Sequence, residues 1–177
     1  MSIHGPMECE VNREVQIMKG TVLETIPRGY FTNMKDVFSA IGNQQKNYNW
    51  LVSNYECNIY PSSYIPFGKD YVWIDGENLT EIIEKFDIQF IWGVFSGFSK
   101  ELSVEEIMQY SIPIADGNEK LWDSKVKTQH PLADIEIIPW DSSLVILISA
   151  SDDIVNKFMK MYPESIDLLE YNSRDDL

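Results

Sequence analysis

The chain has 177 residues, 44% of them hydrophobic, and sets 28 acidic side chains against 14 basic ones, for a net charge of −14. The length fits one domain and the apolar content fits a real core, which excludes a disordered chain. The charge sets nucleic acid aside, because phosphate contacts need clustered Lys and Arg, and it favours a basic protein as partner.

Residues 1–12 are polar and read as loose, 13–172 as one α+β domain, and 173–177 as a fraying end. Over 13–26, Val15, Ile17, Val22 and Ile26 give β-branched chemistry, with Gly20 as a bend or bulge and Pro27-Arg28-Gly29 as the stop. Met34, Val37, Phe38 and Ile41 recur at helical spacing, with Thr32 or Asn33 as cap. Over 50–60 the apolar face switches midway, which predicts a bulge or twist. A loop at 61–69, a short strand at 71–74 and the turn Asp75-Gly76 lead into a helix over 78–86. Residues 88–98 are apolar on both faces and read as a central strand.

Ser103-Val104-Glu105-Glu106 is a capping box for a helix through Tyr110. Residues 116–132 form the longest irregular stretch, either a functional loop or a mobile one. Strands at 133–138 and 144–149 flank Pro139-Trp140-Asp141-Ser142-Ser143, a five-residue hairpin loop. Ser151 caps the last helix and Pro163 closes it, with one further turn at 167–171. The expected fold is a mostly antiparallel sheet of five or six strands, with three or four helices mainly on one face.

No phosphate loop, dinucleotide fingerprint, nucleophile elbow or HExxH is present, and the two histidines lie far apart. No catalytic residue, cofactor or metal is therefore assigned. Asp123, His130, Asp134 and Glu136 are the best oxygen-plus-imidazole set, with solvated loop charges as the simpler reading. A Cys–His pair would require Cys9 or Cys57 to meet His130. Lys120, Lys125 and Lys127 are the densest basic group, interrupted by Asp123. Two cysteines outside any CxxC, no export signal and no long apolar run point to the cytoplasm and away from a membrane.

Net charge is −5 over 1–88 and −9 over 89–177, so an electronegative face is expected in the second half. Its candidate residues are Asp134, Glu136, Asp141, Asp152 and Asp153, with Trp140 either anchoring a partner or folding back onto the sheet. The expected function is non-enzymatic binding of a basic protein. The alternative is a small enzyme or ligand-binding domain with an aromatic pocket around 60–98, lined by Trp92 and Tyr71.

Several short stretches, taken together, resemble a small bacterial domain family of unknown function found in Firmicutes. They are Met18-Lys19-Gly20, Glu24-Thr25-Ile26-Pro27, Tyr48-Asn49-Trp50-Leu51-Val52, Asp75-Gly76-Glu77 and Trp140-Asp141-Ser142-Ser143. The resemblance spans roughly 18–172, with 99–132 longer than the family pattern, and it implies no catalytic residues. By general type the chain is similar to immunity proteins of polymorphic toxin systems, which implies an inhibitor whose acidic surface occludes a basic toxin.

Overall fold

The computed structural model describes residues 16–24, 32–65 and 69–174. Among these, seven strands form one antiparallel sheet: β1 (Lys19–Leu23), β2 (Tyr48–Cys57), β3 (Tyr71–Asp75), β4 (Phe90–Ser99), β5 (Ile135–Trp140), β6 (Leu144–Ser149) and β7 (Ile166–Asp167). Their spatial order is β3-β2-β4-β5-β6-β1-β7. Five α-helices accompany them: α1 (Met34–Ala40), α2 (Gly76–Lys85), α3 (Val104–Ile107), α4 (Asp152–Met161) and α5 (Leu168–Asn172).

The α+β class is as expected, but the counts need correction from five or six strands to seven and from three or four helices to five. Both additions follow Pro163. Strand β7 is two residues laid against β1, too short to carry a periodic signal. Asp167 then caps α5, accepting from the N–H groups of Leu169 and Glu170.

Alternation along the strands divides the core in two. One face presents Trp50, Val52, Phe95, Ile137 and Leu147 to Phe38 of α1, Leu79 and Ile82 of α2, and Phe158 of α4. The other presents Val22, Val94, Ile138, Ile146 and Ile148 to Leu121, Leu168 and Tyr171. Further along it, Leu51 and Phe98 meet Ile107 and Ala133. Helices α1, α2 and α4 therefore cover the first face. The second is covered by α3, α5 and the irregular crossing at 100–134. Strand β4 is apolar on both sides because each face has its own cover.

Several element ends move for local reasons. Helix α2 starts earlier than its periodic residues because Asp75 accepts from the N–H groups of Glu77 and Asn78. Ser103 and Glu106 do form the expected capping box, yet α3 ends at Ile107. Strand β5 runs on through Pro139, whose partner on β6 is Val145. Pro139 is tolerated there because pairing with β4 stops at Ile137. The hairpin loop shrinks from five residues to 141–143, and Asp141 and Ser142 turn it in left-handed conformations, at φ 47° and 53°.

The irregularity predicted within β2 is present. Its register against β4 shifts between Ser53 and Glu56, and Asn54 sits at φ 46°. The loose start, the strand ends at 13–15 and 25–26, Pro27-Arg28-Gly29, Phe67, Cys9 and residues 175–177 lie outside the described residues. Among the described residues, no helix is long and apolar enough to cross a membrane.

Gly20 is no bend: it pairs regularly with Ile148. Its missing side chain makes room for α5, since a Cβ would lie 2.7 Å from Leu168 Cδ2. At Gly97 a Cβ would lie 2.5 Å from Ile135 Cγ2 and 3.1 Å from the Trp50 ring, deep in the sheet. Gly97→Ala should therefore cost about 1–3 kcal/mol by overpacking. Gly20→Ala should cost less, because α5 can shift outward. Urea unfolding of the two variants checks this ranking, and the reverse order would contradict it.

Candidate functional site

The second face of the sheet carries most of the unusual chemistry. The crossing at 100–134 contains little regular structure, so its backbone groups must find partners elsewhere. The sheet beneath supplies several. Ser53 Oγ donates to the Pro113 carbonyl at 2.8 Å. Asn54 Oδ1, on the bulged residue of β2, accepts from the N–H groups of Ala115 at 2.6 Å and Asp116 at 3.0 Å. Glu136, on β5, accepts from Gln129 N–H at 2.8 Å, His130 N–H at 3.0 Å and Ser96 Oγ at 3.0 Å. Within the crossing, Gln129 Oε1 accepts from Ile114 N–H and from Asn118 Nδ2.

Glu136 is fully buried. Burial pushes its carboxyl up to about 7, against the downward pull of the bonds from Gln129, His130 and Ser96. His130 is equally buried, edge-on to Phe98 at 4.8 Å and Tyr110 at 5.3 Å. Leu132 N–H donates to its Nδ1, so Nε2 carries the proton and donates to the Ile107 carbonyl at 3.0 Å. Burial holds this imidazole below its usual range, and the bond to Ile107 works the other way. The ring is thus a neutral structural group with both nitrogens engaged.

The six residues expected on one partner-binding face do not share one. Glu136 lies inside the protein, so an exterior acidic face cannot include it. Asp134 and the pair Asp152 and Asp153 lie at one end of the β5–β6 hairpin, whereas Trp140 and Asp141 lie at the other. Six strand residues separate those ends, about 20 Å at some 3.3 Å per residue. Asp152 is paired with Lys19 at 2.9 Å. Asp153 is paired with Lys157 at 2.6 Å and accepts from Gln44 Nε2, and these bonds hold its carboxyl below the usual range. Asp141 is exposed on the turn. Trp140 folds back, edge-on between Trp92 at 4.8 Å and Trp122 at 5.1 Å. Trp122 continues the row to Tyr171 at 5.8 Å.

The other candidate groups are also placed. Cys57 belongs to the helix-covered core and His130 to the opposite face, so the sheet stands between them. Burial pushes the Cys57 thiol up to about 11. Among the described residues, no group of three His, Cys, Asp or Glu is placed to hold a metal ion. Tyr60 stacks on Tyr55, and its hydroxyl accepts from Cys57 N–H. Tyr64 packs on Phe86.

Two depressions open on the second face, either side of the ridge formed by Ile112, Pro113 and Ile114. The smaller, about 510 Å³, holds Trp92, Tyr55, Glu56 and Asp70. Of the residues named for an aromatic pocket around 60–98, it holds Trp92 and not Tyr71. The larger, about 990 Å³, is a groove whose walls include Lys120, Lys125, Lys127 and Gln129 and whose floor includes Ile148 and Leu168. Sequence reasoning found the three lysines but not the groove, and it missed Asn54 and Gln129. A lone amide carries no motif, and only the break in alternation near Asn54 hinted at its role.

No family model, no curated protein and no solved structure matches this chain.

Glu136→Gln should be less stable than the parent chain by about 1–3 kcal/mol at pH 5, because an amide nitrogen replaces one of two acceptors facing buried N–H groups. The parent's Glu136 keeps its proton in the folded state up to about pH 7, whereas unfolded it releases it near 4.5. Its stabilising contribution is complete below about pH 4.5 and is lost as pH rises through about 7, so the gap to the variant should narrow by pH 8. His130 acts with the opposite sign but is common to both chains and cancels in the difference. Denaturant midpoints at pH 5, 6.5 and 8 measure the trend. A gap that widens with pH would refute the proton assignment.

Proposed function

We propose that this chain is a non-enzymatic binding protein whose partner is a basic protein, in the manner of an immunity protein occluding a toxin. The observation that supports it most is the outer surface of α2 and its flanks. Glu77, Glu81 and Glu84 lie exposed along α2, with Asp87 after the helix. Lys85 is the one basic residue of this helix, and its ammonium sits over the rings of Tyr64 and Phe86 at 5.6 and 5.4 Å.

Beside this helix, β3 bonds, among the described residues, only to β2 and forms an edge of the sheet. Tyr64, packed on Phe86 just after the helix, is exposed. Acid that raises encounter rates, aromatic area that adds contact energy and an unpaired strand edge are three features that suit a protein partner. This surface replaces the scattered residues of the second half as the docking face of the proposal.

Glu81→Lys/Glu84→Lys tests it. Both side chains point to solvent and should leave folding intact. Association with a panel of basic nuclease toxin domains should slow about tenfold at low ionic strength, and the difference should vanish in high salt. A parent chain whose association is indifferent to both salt and charge reversal would sink the proposal.

A further inference from the structure

The groove of about 990 Å³ on the second face goes beyond that reading and lies on a different surface. Its floor and one wall are apolar, with Ile112, Ile114, Ile148 and Leu168 among them. Its other side carries Lys120, Lys125 and Lys127, which have no ion-pair partner among the described residues. Lys19, Lys46 and Lys157 pair with a carboxylate, whereas Lys35, Lys69, Lys100 and Lys160 have no ion pair among the described residues either, so it is their grouping along one groove that sets Lys120, Lys125 and Lys127 apart. Among the described residues, Glu119 is the single acidic one lining the groove.

Gln129 lines the same groove, and among the described residues its amide Nε2 is buried without a hydrogen-bond partner. That atom is closed off from solvent, so it lies behind the groove wall rather than on the ligand's side. The carbonyl oxygen of that amide is already committed to Ile114 N–H and Asn118 Nδ2, which fixes the group in place. In a chain of net charge −14, three cations without an ion-pair partner among the described residues line one groove with an apolar floor.

We infer that this groove binds a small organic anion with an apolar body, its acid group held by the lysines and its body laid on Ile148 and Leu168. A basic or neutral ligand of the same shape would leave the three ammonium groups uncompensated. The anion can be a carboxylate or a phosphate monoester, since an ammonium recognises either as a point charge.

The test is titration calorimetry on the 177-residue chain, below micelle-forming concentrations, with dodecanoate, dodecyl phosphate, dodecanol and dodecyltrimethylammonium. One anion per chain should bind, and the relative affinity of the two anions identifies the preferred acid group. The alcohol and the ammonium should bind at least tenfold more weakly. Lys120→Gln/Lys125→Gln/Lys127→Gln should lose at least tenfold for the anions with an unchanged unfolding midpoint. Glu119→Gln should tighten anion binding at low salt, which keeps the inference testable if the triple variant folds poorly. Four tails bound equally, indifference to both sets of variants, or binding that needs residues 1–15 removed would each overturn it.

Discussion

The arrangement of the second face depends on one carboxylate. A seven-stranded sheet buries apolar residues on both sides, but only the first side has a layer of long helices. On the other side the chain crosses from β4 to β5 with little regular structure, and an irregular backbone over a core leaves N–H groups without partners. Glu136 projects from the sheet into that deficit and takes the N–H groups of two consecutive residues, Gln129 and His130. A neutral amide has one acceptor where this site needs two. The cost is a desolvated acid, visible in its raised affinity for a proton. Ser96 moderates that cost, since its hydroxyl can donate to the charged form and turn to accept from the protonated one.

The same arrangement decides which chemistry the interior can host. His130 spends both ring nitrogens, one on Ile107 and one on Leu132, and Glu136 spends both oxygens. Groups that looked available for acid–base or metal work are thus committed to holding the crossing in place. Asn54 is the counterpart on β2, where the bulge aims its amide at the next stretch of the crossing. The ridge at Ile112–Ile114 is therefore tied down from both sides, and the two depressions flank something fixed. A groove with a fixed wall needs no reordering to accept a ligand.

Much of the architecture was legible because it follows from periodicity. The doubly apolar run that became β4, the alternating pair β5 and β6, and the amphipathic faces of α1, α2 and α4 are read directly from residue spacing. The capping box at Ser103 and the bulge in β2 were legible too. Features set by tertiary contact were not. Strand β7 exists because β1 offers an edge, and Gly20 is small because Leu168 approaches it. The expected acidic face failed for a similar reason. Sequence distance hid that Asp134 and Asp141 cap opposite ends of one strand. It also hid that Glu136 takes the inward place in the alternation, between Ile135 and Ile137 on the other face.

Net charge and local charge act at different ranges, and that difference lets the two proposed surfaces coexist. The total of −14 governs approach from afar and favours cationic bodies, whereas at physiological salt its influence fades beyond about 8 Å. Within the groove a ligand's acid group would meet Lys120, Lys125 and Lys127 at closer range than most of the outer carboxylates. An anion small enough to enter would pass through an unfavourable field and settle in a favourable one, so the surplus acid would slow its arrival more than it loosens its hold. A basic protein would gain from the same field on approach and would be repelled at short range by the exposed Lys120, Lys125 and Lys127. The sign of the local charge would then sort the two kinds of partner to opposite faces of the sheet.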